Sequence, residues 1–404
     1  MRILMLAPEP FFTPRGTPLS VLHRLKALSD LGYQVDLVTY PFGEDVDLPG
    51  VRIVRCARPP GVRSVPIGPS LRKILLDLSL YQTARRLLRS ECYDVVHTHE
   101  EAALIGAWWQ KRYGLSHLYD MHSLLSQQMY NFGVPLARIA AWVWRRFERW
   151  TIRHTRALIA ICDELAYAVR RLRPDLPYEV IENMGVAEFI EQVPDDEVRR
   201  VRQTLSPDGR YLVAYIGTFE PYQGLDLLLE AIVRWRADSD GSAVRWVLAG
   251  VEPERYAGWV DRLRALGLED HVQLLPRMNP REAAALQKAA DLLVSPRRAG
   301  MNTPLKIYSY LAAGRPILAT RHPTHTQVLT DEIALLVEPS AEGLLAGLRY
   351  ALDHPDEVER RAQRAVEYFR ARYGYATYLE KTARIVEIAA RATKDSRVGR
   401  QIEK

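Results

Sequence analysis

Cysteine is scarce: three in 404 residues, Cys56, Cys92 and Cys162, with no C-x-x-C, which argues against both a disulfide framework and a cysteine-built zinc site. Long apolar runs are missing too, and none approaches the roughly 20 residues that a membrane-spanning helix needs. The opening "MRILMLAPEP" meets Pro8 and Glu9 too early for a signal peptide and reads as a strand. The chain contains no G-x-S-x-G, no P-loop, no G-x-G-x-x-G, no short tandem repeat and no low-complexity segment, so several common catalytic and nucleotide-binding signatures are excluded. What remains is 48% apolar and 26% charged, the profile of a soluble, cytoplasmic, globular protein long enough for two domains.

The net charge of +6 is unevenly placed. Residues 1–186 hold 24 Lys and Arg against 18 Asp and Glu, whereas residues 187–404 hold 31 of each. Segment 51–90 carries nine basic residues and one acid, and segment 136–156 six and one. These are either solvated helix faces or a surface for an anionic partner, such as a lipid surface, a lipid diphosphate or an acidic polymer. The helical stretch 137–154 places Ile139, Val143, Phe147 and Trp150 on one face, expected to meet the core, and Arg138, Trp142, Arg145 and Arg149 on another. A membrane-surface role for it is the alternative. Nucleic-acid binding is disfavoured, because no aromatics interleave with the basic segments in a known binding module.

Short apolar runs alternate with amphipathic helices. Strands are expected at 2–7, 34–40, 51–56, 94–99, 117–122, 157–162 and 178–182, and then at 211–217, 244–250, 272–275, 291–295, 316–320 and 334–338. This alternation predicts an α/β protein of two doubly wound parallel sheets, with ligands at the carboxyl ends of the strands. The polar stretch 191–202 reads as the linker. A terminal helix of about 374–404 can fold back on the first domain.

Four strand-to-loop junctions carry candidate chemistry. In "APEPFFTPRGTPLS" (7–20), Gly16 allows close backbone approach and Thr17 can cap a helix. "YDMHS" (119–123) puts His122 at a strand end. "YIGTFEPYQG" (215–224) leaves Gly217, Thr218 and Gln223 around a loop. "SPRRAGMNTPLKIYSYLAAG" (295–314) starts a helix with Thr303 as cap and Pro304 at the first helical position. Lys306 falls in that first turn, Arg297 and Arg298 precede it, and Asn302 and Thr303 can donate hydrogen bonds: together, a place for an anion. Asp45-x-Asp47 lies in an acidic connecting loop and reads as solvated. His97 and His99 in "HTHEE" share one strand face; a metal is conceivable there, but a strand-end cluster lining a cleft fits better.

With "YDVVHTH", "ALIAICDEL", "VLAG", "DLLVSPR" and "PLKIYSYLAAGRPILAT" added, the chain resembles the family 4 glycosyltransferases over essentially its whole length. The resemblance implies the GT-B fold, two Rossmann-like domains facing across a cleft: 1–186 for the acceptor and 187–373 for the nucleotide-sugar. It implies a retaining, metal-independent transfer from a UDP- or GDP-type sugar to a glycan, lipid-linked or other hydroxyl acceptor, in cell-envelope or exopolysaccharide synthesis. A non-catalytic nucleotide-sugar binder of the same fold is the alternative. Carried over by residue, the Gly16 loop faces the diphosphate and sugar, His122 lies beside the sugar ring, Gly217 and Thr218 approach the phosphates, and Arg277 and Met278 lie near the base. The family's usual Arg and Lys after the first strand of the second domain are here Thr218 and Gln223, and its two Glu are Met301 and Ser309. Lys306, Arg297, Asn302 and Thr303 are therefore expected to hold the phosphates, and Ser309 to alter donor choice.

Overall fold

All the strands read from the apolar runs form. The computed structural model describes residues 1–12, 16–65, 70–124, 137–182, 186–237, 243–300 and 303–395. Its two compact units are Met1–Asn183 with Ala376–Lys404, and Met184–Tyr375. In the first, β1 (Arg2–Ala7), β2 (Gln34–Thr39), β3 (Val51–Arg55), β4 (Val95–His99), β5 (His117–Met121), β6 (Ala157–Ala160) and β7 (Tyr178–Val180) pair in parallel in the order β3-β2-β1-β4-β5-β6-β7. In the second, β8 (Tyr211–Ile216), β9 (Val244–Val251), β10 (Val272–Pro276), β11 (Leu292–Ser295), β12 (Ile317–Thr320) and β13 (Leu335–Val337) run β10-β9-β8-β11-β12-β13. Central strands are buried on both faces because helices cover both sides, and so they read as unbroken apolar runs. Strand order reverses between β1 and β4, and between β8 and β11. Loops part at such a switch point and leave room for a ligand.

The helix Tyr375–Asp395 belongs to the first unit, where Ile385, Val386 and Ala389 are fully buried. Thr382 accepts a hydrogen bond from Arg24 at 2.8 Å, and Lys381 donates to the Val180 carbonyl at 2.9 Å.

Two expectations are corrected. Much of the polar stretch 191–202 is no linker: Asp195–Leu205 is a helix of the second unit, and its charges are used in ion pairs, Arg202 with Asp291 (2.5 Å) and Glu197 with Arg281 (2.8 Å). The helix Ala137–Arg153 turns the other way from the face assigned to it. Val143 and Phe147 are 37% and 46% exposed beside Trp142 at 59%, while Ala141, Glu148, Thr151 and Ile152 are buried. Both stripes have helical period, and the one with small residues at the contact lets the helix lie close to its neighbour, Ala103–Tyr113. Among the described residues no helix is long and apolar enough to cross a membrane.

Gly250 ends the run of β9 that pairs with β8 with φ 114°, and any side chain there would run into the Gly217 carbonyl. Gly250→Ala should lower the melting temperature of the second unit by at least about 5 °C in calorimetry. Gly258→Ala, in a helix with open space around it, should leave it unchanged or slightly raised.

Candidate functional site

At the switch point of the second sheet, the loops after β8 and β11 are brought together by glycine. Gly224 has φ 74°, and a side chain on it would strike the Pro296 carbonyl. This close approach carries Arg297, on the loop after β11, toward the loop after β8. Arg297 is 9% exposed, donates from Nε to the Ala299 carbonyl at 2.7 Å, and lies 5.1 Å from the centre of the Tyr222 ring.

The helix Leu305–Ala313 contributes Lys306 from its first turn. Its Nζ sits 3.8 Å from the centre of the Tyr215 ring and 3.3 Å from Gln223 Oε1. A Cβ on Gly217 would come within 2.5 Å of that nitrogen, so the bare backbone makes room for the ammonium. Gln223 in turn donates to Thr218 Oγ1 at 3.2 Å. Thr218 and Gln223 therefore do not replace the missing cations by charge; they hold the Lys306 ammonium in place.

Among the described residues neither Lys306 nor Arg297 has a carboxylate within 4.0 Å. Burial pushes the Lys306 ammonium well below the usual lysine value, and the Arg297 charge adds to it; burial likewise lowers Arg297. A cation over an aromatic ring gains about 0.5–2 kcal/mol, whereas the desolvation of each buried ion costs several. The balance is unfavourable until an anion enters.

The remaining expected residues are placed as follows. Pro304, not Thr303, occupies the cap position, with no side-chain cap, so the helix starts one residue later than expected; the Thr303 hydroxyl points to Gln327 at 3.4 Å. Ser309 is 1% exposed and donates to its own helix at the Lys306 carbonyl (3.0 Å), which leaves no hydroxyl proton for a nucleotide. Arg277 pairs with Glu252 at 3.2 Å, and with Met278 it follows β10, the edge strand, two strands from β8. Asn302 and Met301 lie outside the described residues. In the first unit a helix already begins at Gly16, which puts Thr17 inside its first turn rather than at its cap.

His122 follows β5 and joins a cluster that motif spacing did not reveal. His97 and His99 on β4 are fully buried, contrary to the expectation that they line a cleft. Asp120 on β5 lies among them, its Oδ2 3.3 Å from His97 Nε2 and 3.0 Å from Arg24 Nε. Burial alone would raise the Asp120 carboxyl, but Arg24 together with the imidazoles holds it well below the usual carboxylate range. Burial lowers all three imidazoles, so they are neutral near pH 7. Ligand atoms of His97, His99 and Asp120 lie within 4.8 Å of one another, a spacing that can hold a metal ion. The guanidinium of Arg24 already supplies the positive charge there, so the ionic network accounts for the cluster. The signals available in the sequence were Arg24 inside an apolar helix and Asp120 inside an apolar strand.

Comparison with known proteins agrees with the fold of two parallel-sheet α/β units. Residues 15–184 match the family model described as a glycosyl transferase 4-like domain, and residues 197–368 that of glycosyl transferases group 1. A phosphatidyl-myo-inositol mannosyltransferase of Mycobacterium leprae is 24% identical over 396 residues, covering 96% of this chain and 97% of its own. A D-inositol 3-phosphate glycosyltransferase of Kribbella flavida is 24% identical over 384 residues, 87% of this chain and 86% of its own. Among solved structures, sucrose-phosphate synthase of Thermosynechococcus elongatus superposes with a TM-score of 0.74 at 18% identity, over 96% of this chain and 98% of its own. Anabaena HepE in complex with UDP-glucose gives 0.72 at 17% identity, over 96% and 99%.

Removing the uncompensated ammonium should stabilise the free protein. Lys306→Met is expected to leave the melting temperature unchanged or raise it by about 2–4 °C. Between its lowered folded value and the ordinary one, Lys306 binds fewer protons folded than unfolded, so wild-type stability rises with pH there and the gap to Lys306→Met closes. Melting curves from pH 7 upward test this; a gap that widens would contradict it.

Proposed function

The chain belongs to the family 4 glycosyltransferases, enzymes of the GT-B fold, and from this premise we propose that it is a retaining transferase acting on a nucleotide-diphosphate sugar of UDP or GDP type. The observation that carries the reading is the pair of acid-free cations, Lys306 and Arg297, at the switch point of the second sheet. A diphosphate matches in number these two positive charges, Arg297 buried and Lys306 partly buried. The solved HepE complex, in which a protein of this fold holds UDP-glucose, supports the donor class.

In the proposed reaction the bond between the sugar's anomeric carbon and the diphosphate oxygen breaks. A bond from that carbon to the acceptor hydroxyl oxygen forms on the same face. The hydroxyl proton passes to the departing diphosphate, giving a glycoside and a nucleoside diphosphate. The cations then act on the charge that develops as the diphosphate leaves, the interaction that lowers such barriers most. His122 lies beside the sugar, and the acceptor, a glycan or lipid-linked hydroxyl, binds the first unit. Lys306 and Arg297 supply the charge stabilisation for which other transferases use a metal ion.

The exposed face of the helix Ala137–Arg153 supports work at the inner membrane surface, in envelope or exopolysaccharide synthesis. Trp142, Val143 and Phe147 stand out from it among Arg145, Arg146 and Arg149, all exposed. Aromatic side chains with arginines are what an anionic lipid interface takes up.

Thermal-shift titration with UDP-, GDP-, ADP- and dTDP-sugars tests the donor. A ligand at 100 times its dissociation constant stabilises by about 2.7 kcal/mol, and this is expected for a UDP- or GDP-sugar, lost in Lys306→Ala and unaffected by EDTA. No shift with any donor would overturn the reading. Separately, vesicles of anionic lipid at low salt should bind the wild type and release a Trp142→Ser, Phe147→Ser variant; equal binding of both would remove the membrane part.

A further inference from the structure

How His122 meets a ligand depends on which ring nitrogen carries its proton. Its Nε2 lies 3.0 Å from Nδ1 of His99, so one of them donates and the other accepts. The His122 side chain is 7% exposed, and its Nδ1 makes no hydrogen bond among the described residues. The proton positions follow from what each arrangement would leave unpaired.

His97 Nε2 faces the ionised Asp120 at 3.3 Å, which makes it the donor and leaves the buried, unpartnered His97 Nδ1 as a bare acceptor. If His122 donated from Nε2, neutral His99 would have to carry its proton on its own Nε2. That atom is buried without a partner, and a stranded N–H is costlier than an unused lone pair. If His99 donates from Nδ1 instead, the unpartnered atoms of this cluster, His97 Nδ1, His99 Nε2 and Asp120 Oδ1, are all acceptors. The Asp120 carboxylate faces both nitrogens and does not decide between them: its Oδ2 lies 3.9 Å from His99 Nδ1. Its Oδ1 stands 3.5 Å from His122 Nε2 without a hydrogen bond to it. Arg24 fixes the carboxylate and is itself held by Thr382 at 2.8 Å and the Tyr378 ring at 4.8 Å, both on the terminal helix.

We propose that His99 is the positioning residue that fixes His122 in the tautomer protonated on Nδ1, so that His122 meets the sugar as a hydrogen-bond donor and not as a base. This rests on the reading that His122 lies beside the donor sugar. It agrees with the diphosphate, rather than a side chain, taking the acceptor proton.

The test uses the full chain labelled with 15N-histidine. Two-bond proton–nitrogen spectra at neutral pH give the tautomer of each ring, and His122→Gln identifies the His122 signals. The expected wild-type result is a protonated Nδ1 and a bare Nε2; a protonated Nε2 would overturn the proposal without recourse to any variant. His99→Asp, which can only accept, should move the His122 proton to Nε2 and lower kcat at least about tenfold, with the donor KM nearly unchanged. His99→Asn, whose amide can donate, should keep the Nδ1 tautomer and most of the turnover; an altered tautomer there would count against His99. Wild-type turnover in His122→Gln would instead remove His122 from the sugar while leaving its tautomer as assigned.

Discussion

Arg297 is buried and Lys306 partly buried, close enough that the Arg297 charge weakens the Lys306 ammonium, and among the described residues no carboxylate lies within 4.0 Å of either. The geometry of the second unit's switch point follows from keeping them there. Gly217 is bare so that the ammonium has room, Gly224 is bare so that the two loops can touch, and Gln223 and the Tyr215 ring take up the ammonium in place of a carboxylate. A side chain that only stabilised the fold would not be placed this way, because buried like charges oppose folding. The arrangement becomes favourable when a multiply charged anion is bound, and under the proposed function that anion is the departing diphosphate.

The first unit handles charge in the opposite manner. Its buried Arg24 is fully matched by Asp120, and three neutral imidazoles complete the network. The terminal helix, some 350 residues along the chain from Arg24, closes this network through Thr382. A matched, sealed cluster suits a task of orientation, as the cations of the second unit suit a task of charge stabilisation. Catalysis in such a site depends on positioning and on preorganised charge more than on a titrating base.

Much of this was legible in the sequence, for physical reasons. Parallel strands covered on both faces read as short apolar runs, and glycines at strand ends mark close approach of backbone. Lys306 was legible because a helix start, a strand end and a cation coincide. The details that failed were those decided by competition. Thr303 was expected as the cap, but its hydroxyl found Gln327 and the helix began after Pro304. The helix Ala137–Arg153 carries two stripes of the same period, and periodicity does not say which one packs. The Arg24–Asp120 pair joins residues 96 apart in the chain, a contact that local pattern does not encode.

The most direct measurement is calorimetric binding of a nucleoside diphosphate and its monophosphate to the wild type and to a Lys306→Met, Arg297→Met double variant. Cations placed for a diphosphate should give the wild type a strong preference for the diphosphate, and the double variant should bind both nucleotides about equally and weakly. A diphosphate preference that survives loss of both charges would contradict the account.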